Sequence, residues 1–207
     1  PIVQPGAPGE DVRAISAEEA VEIAANRFSV DDVRFMQDMI VHHYQAVEMA
    51  ELVSDRTSTE EIVAVAGRIN ASQADEIAFM QNWLNERGQH APDPASADHS
   101  MDHEGGHEGH HGAHATMQGM ATPEQMAELA ASNGGDFDAL FLELMIAHHE
   151  GAVDMVDALL RQRGSAYDPV LYDFVNDVRS EQAAEIRRMN TVLSSLSEDP
   201  RNGLAAG

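Results

Sequence analysis

The sequence predicts an all-α protein, a four-helix bundle built from two tandem helical-hairpin repeats with short lead-in helices. Three observations lead there: an internal repeat, helical periodicity in both copies, and a composition able to bury a core without cysteine. The segment from Phe35 to Val53, FMQDMIVHHYQAVEMAELV, matches Phe141 to Leu160, FLELMIAHHEGAVDMVDALL, placing His42 on His148 and His43 on His149. Further on, SQADEIAFM from Ser72 matches EQAAEIRRM from Glu181, so Gln73, Glu76, Ile77 and Met80 fall on Gln182, Glu185, Ile186 and Met189. The second match is offset by three more residues, which places extra chain in the second hairpin around Arg163 to Pro169, where Gly164 and Pro169 interrupt helical continuity. A repeated unit with an apolar face that it cannot cover alone packs against its own copy, and four long helices satisfy both copies as a bundle about a pseudo-two-fold axis.

In order along the chain, residues 1–15 read as a flexible N-terminus, 16–88 as the first helical repeat and 89–121 as a linker. Residues 122–197 form the second repeat and 198–207 a flexible C-terminus. Lead-in helices start at Ser16 (SAEEAVEIAANRF) and Thr122 (TPEQMAELAAS), each a capping residue closely followed by an acidic one. The first long helix is apolar over most of its circumference, interrupted by Gln37, Asp38, Gln45 and Glu48, which predicts burial by neighbouring helices. The linker contains HSMDHEGGHEGHHGAHATM; rich in Gly and His and almost without bulky apolar residues, it cannot bury a core. Its His99, His103, His107, His110, His111 and His114, with Met101 and Met117, form a metal-attracting tract of low geometric definition.

Composition narrows the function. The 207 residues are 43% hydrophobic and 23% charged, which suits a globular chain, and no stretch is long and apolar enough to span a membrane. A formal charge of -24 repels phosphate backbones, disfavours nucleic acid as a partner and attracts cations. Cysteine is absent while methionine and histidine occur 11 times each. A soft-metal site without thiolates suits an oxidising compartment, and the opening PIVQPGAPGE reads like a chain trimmed after export.

The repeated motif carries the chemistry. Met36, Met39 and His43 share one helical face; His42 lies about 100° round the helix with Met49 two turns on. In the second copy Met145 stacks with His149, and His148 with Met155, while Leu142 replaces Met36. Thioether and imidazole together favour Cu(I) and tolerate Cu(II), so copper is the expected ion. A di-iron bundle presents Glu-x-x-His instead; Met39-x-x-His42 and Met145-x-x-His148 lack the bridging carboxylate that iron needs. On the second hairpin helix, Met80 and Met189 are candidate further ligands. Glu76 and Glu185 are candidates either to accept a hydrogen bond from a ligand imidazole or to serve as structural polar residues of the bundle.

The motif Phe-x-x-x-Met-Ile-x-His-His with a downstream Met, then Gln-x-x-Glu-Ile-x-x-Met, twice over between about residues 30 and 196, resembles the bacterial family known as domain of unknown function 305. The resemblance implies a ferritin-like helical bundle, exported or lipid-anchored, with copper binding in some members. It carries the motif onto Met39, His42, His43 and Met49, and onto Met145, His148, His149 and Met155. The expected function is an extracytoplasmic copper-binding protein that sequesters or relays the ion, with copper ions and another copper-handling protein as partners and no catalysis of its own. The alternatives are a ferritin-like metal-dependent oxidoreductase and a structural or interaction module without metal.

Overall fold

The computed structural model describes residues 2–4, 13–17, 28–93 and 117–198, and among them two helical hairpins make up the core. At the start, β1 (Ile2–Gln4) pairs antiparallel with β2 (Arg13–Ile15), Ile2 opposite Ile15. The first hairpin comprises α1 (Val30–Glu51), a single turn α2 (Val53–Arg56) and α3 (Glu60–Glu86). The second comprises a lead-in helix α4 (Pro123–Ala131), α5 (Gly134–Arg161) and α6 (Pro169–Glu198). The lead-in helix expected from Ser16 lies outside the described residues beyond Ala17, as do the central part of the linker and the C-terminal residues after Glu198.

Helix starts follow local chemistry. Ser29 caps α1 through a reciprocal box with Asp32: the Asp32 amide donates to the Ser29 hydroxyl at 3.0 Å, and the Ser29 amide donates to Asp32 Oδ2 at 2.7 Å. The other oxygen of this buried carboxylate accepts from the Ala166 amide at 2.7 Å, tying the start of α1 to the turn between α5 and α6. Thr122 caps α4 in the same way, with Gln125 as its partner. Glu124, the nearer acidic residue, stands one position too early, because the box needs the third helical residue. Pro123 occupies the first turn, where an amide hydrogen is dispensable.

Helix directions follow from which residues share a core. One apolar cluster gathers Met49 of α1, Ile62 and Ile69 of α3, Phe141 and Met145 of α5 and Met189 of α6. The other gathers Met36 and Met39 of α1, Met80 and Trp83 of α3, Val156 of α5 and Val175 of α6. Helix α1 therefore runs from the second cluster to the first, α3 and α5 run back, and α6 returns with α1. Each hairpin is antiparallel, and the two innermost helices, α1 and α5, are antiparallel to each other.

Candidate metal centre

Between the two apolar clusters every long helix contributes polar side chains at the same level: His42 and His43 from α1, Gln73 and Glu76 from α3, His148 and His149 from α5, Gln182 and Glu185 from α6. The imidazoles are sealed from solvent, with His42, His43 and His149 0% exposed and His148 1%. A polar layer across a core is expensive to bury, so the pairing of each group shows what the layer is built to do.

The two histidines of each motif face different neighbours. His43 turns to its own hairpin partner, its Nε2 2.5 Å from Glu76 Oε2, and His149 repeats this with Glu185 Oε2 at 2.6 Å. His42 and His148 turn to each other where α1 meets α5, their ring centroids 3.8 Å apart. Within a motif the rings are separated by 6.5 Å in the first copy and 6.3 Å in the second. His148 Nε2 donates to the His42 carbonyl at 2.8 Å, and His42 Nε2 donates to the Gln118 carbonyl at 3.0 Å.

These partners fix the chemistry. A carbonyl or carboxylate oxygen accepts, so each Nε2 carries the hydrogen, and the nitrogen left over is Nδ1 in all four rings. Each of the four Nδ1 atoms is buried and has no hydrogen-bond partner. Burial first, then the neighbouring imidazoles, pushes the His42 pKa down from 6.5 to about 3, and the same causes hold His148 well below the usual value. Those two rings are neutral at physiological pH, with lone pairs ready for a Lewis acid. The carboxylates behind His43 and His149 are the supports that metal-bound imidazoles commonly have.

The thioethers bracket this layer. Met39 and Met145 lie one turn before His43 and His149, and Met80 and Met189 one turn after Glu76 and Glu185; all four are fully buried. Met36 and Met49 are buried as well, whereas Met155 is half-buried beside a surface groove formed with Asp31, Arg34 and Asp38. The linker histidines His99, His103, His107, His110, His111 and His114 lie outside the described residues. Among the described residues no three His, Asp or Glu side chains are grouped as a cage for an ion. The soft donor types buried in and beside the layer are imidazole nitrogen and thioether sulfur, a pairing that in general suits a soft monovalent cation.

One contributor escaped sequence reasoning. Residues 117–121 form a strap across α5: Gln118 supplies the acceptor for His42, and the Gln45 side chain donates to the Ala121 carbonyl at 2.9 Å and accepts from the Ala121 N–H at 2.8 Å. The strap passes so close to α5 that a Cβ on Gly151 would meet the Gln118 carbonyl oxygen at 1.9 Å, and one on Gly119, at φ 79°, would meet the Ala147 carbonyl at 2.3 Å. A lone glycine inside an otherwise strong helical pattern was the available signal. At the other end of the linker, Gln37 and Gln81 hold the carbonyls of His90 and Pro92.

Residues 32–193 match the family described as a domain of unknown function, DUF305, and the chain belongs to that family. Its fold is similar to a DUF305 protein of Streptomyces coelicolor proposed to be secreted, at 30% identity and a TM-score of 0.64 over 81% of this chain and 94% of that one. A DUF305 fragment from Deinococcus radiodurans is 29% identical with a TM-score of 0.65 over 81% and 98% of the two chains. CopM in its Cu(II)-bound form is 26% identical with a TM-score of 0.58 over 79% and 96%. No curated protein matches the chain. No helix among the described residues is long and apolar enough to cross a membrane.

Proposed function

We propose that this protein is an extracytoplasmic copper-binding protein that holds Cu(I), and tolerates Cu(II), in the polar layer of a ferritin-like bundle and passes the ion to another copper-handling protein. The single observation behind this reading is the set of four buried imidazoles whose Nε2 atoms are all engaged and whose Nδ1 atoms all lack a partner. Leaving one buried polar atom unpaired costs about 1–3 kcal/mol, so four in one layer are a poor way to fill a core and a good way to receive a cation. Buried methionines one helical turn away supply sulfur and favour copper over zinc. Similarity to CopM in a Cu(II)-bound form supports the same ion, and similarity to a relative proposed to be secreted supports an exported location. The tract from His99 to His114 is assigned first capture of the ion, and the core its retention. The proposed activity is holding and releasing the ion, without turnover.

The test is X-ray absorption at the copper edge on full-length protein loaded anaerobically with two equivalents of Cu(I). Nitrogen and sulfur scatterers together are expected, with the sulfur contribution lost in a Met39→Leu, Met145→Leu, Met80→Leu, Met189→Leu variant. A spectrum that neither these four substitutions nor His42→Ala/His43→Ala/His148→Ala/His149→Ala alters would place the ion outside the layer and remove the core from the function.

A further inference from the structure

The two ends of the histidine layer are not equally reachable from solvent, and the internal repeat supplies the comparison. Beside Glu76, α3 and α6 enclose an open groove of about 350 Å³ lined by the carboxylates of Asp75, Glu76, Asp177 and Glu181. Its apolar side is formed by Phe79 and Phe174, stacked with centroids 4.4 Å apart. Glu76 belongs to both environments: its carboxylate forms part of the groove wall and also receives His43 Nε2 at 2.5 Å. Behind it lies the wholly buried His43 ring, whose Nε2 faces Glu76 and whose partnerless Nδ1 is on the far side, toward the interior of the layer. The repeat places Glu185, Arg188 and Arg68 where the groove has Glu76, Phe79 and Asp177. That second location, between the same two helices, is lined by Arg68, Glu185 and Arg188 with Val65, Ile69 and Met189, and has no room for a water molecule. One copy is open and acidic, the other closed and edged with arginines.

We infer that the groove between α3 and α6 at Asp75, Glu76, Asp177 and Glu181 is the inlet through which a soft cation reaches the buried histidine layer, so that the layer loads from the His43 side. This rests on the proposed copper-holding role of that layer. Converging carboxylates around an apolar-sided groove raise the local concentration of a cation and steer its approach, without needing to bind it tightly. On the Glu185 side the arginines oppose a cation and leave it no passage. Asp75, Asp177 and Glu181 therefore govern how fast the layer fills, while the imidazoles and thioethers, with Glu76 behind His43, govern how tightly it holds.

The experiment uses full-length protein and Ag(I) as a redox-inert stand-in for Cu(I). Loading is followed by stopped-flow quenching of Trp83, the chain's one tryptophan, which shares an apolar cluster with Met39 and Met80. Equilibrium dialysis of the same proteins gives the dissociation constant. For Asp75→Asn/Asp177→Asn, association is expected to slow about three- to tenfold and become less dependent on ionic strength, while the dissociation constant stays within about twofold. An unchanged association rate overturns the inlet. A weakened dissociation constant with an unchanged association rate also overturns it, by making these carboxylates ligands. If wild-type protein binds no more Ag(I) than a His42→Ala/His43→Ala/His148→Ala/His149→Ala variant, the copper-holding reading itself fails, an outcome distinct from failure of the inlet.

Discussion

At the scale of single residues, the chain spends polar groups where a folded core alone would not. His43 and His149 each lean on a carboxylate from the facing helix of their own hairpin, and such supports commonly tune metal affinity. Glu76→Gln with Glu185→Gln should weaken Cu(I) binding about 10- to 100-fold while far-UV circular dichroism stays unchanged, measured by competition with a colorimetric chelator. Gly151 is held to its identity by the strap, because a methyl there would collide with the Gln118 carbonyl. Gly151→Ala should expel the strap and leave His42 Nε2 without its acceptor, lowering stability by about 1–3 kcal/mol in urea denaturation despite the better helix propensity of alanine. The four motif histidines, the flanking methionines and both glutamates were readable in the sequence because they recur at fixed spacing in two copies. The partner of His42 was not, because Gln118 acts through its backbone carbonyl, which no side-chain pattern encodes.

At the scale of elements, the polar layer makes the bundle sensitive to acid. His42 is held at about 3 in the folded protein against 6.5 for an unperturbed histidine, and His148 is shifted in the same direction. Below pH 6.5 the unfolded chain takes up protons that the native layer refuses. The contribution of these two residues is therefore fully present above pH 6.5 and drains away as the pH falls toward about 3. Each can steepen the loss by up to about 1.4 kcal/mol per pH unit. Comparing urea stability at pH 7.5 and 5.0, wild type should lose more than a His42→Gln/His148→Gln variant; equal losses would contradict the neutral, buried assignment. The helices and their amphipathic faces were legible from periodicity. The α1 to α5 contact that brings His42 onto His148 was not, because sequence spacing fixes which face a residue occupies but not which helix covers that face.

At the scale of the whole molecule, the two-copy architecture turns a pair of marginal motifs into one layer, and the -24 charge surrounds that layer with a field that favours cations. The fold was legible because each hairpin repeats its own pattern and thereby demands a partner. The asymmetry between copies was harder to see, since it rests on exchanges such as Phe79 for Arg188 that matter only once α3 and α6 are side by side. Both ends of the linker pack on the bundle, through His90 and Pro92 at one end and Gln118 and Ala121 at the other, so a linker deletion that keeps these anchors is confined to residues 94–116. The most direct measurement is an anaerobic Cu(I) titration against a competing chelator. It compares intact protein, a deletion of residues 94–116, and His42→Ala/His43→Ala/His148→Ala/His149→Ala in the full chain. Tight binding is expected to survive the deletion and to vanish with the four substitutions; binding that disappears with the deletion and persists through the substitutions would show that the helical layer is only a scaffold.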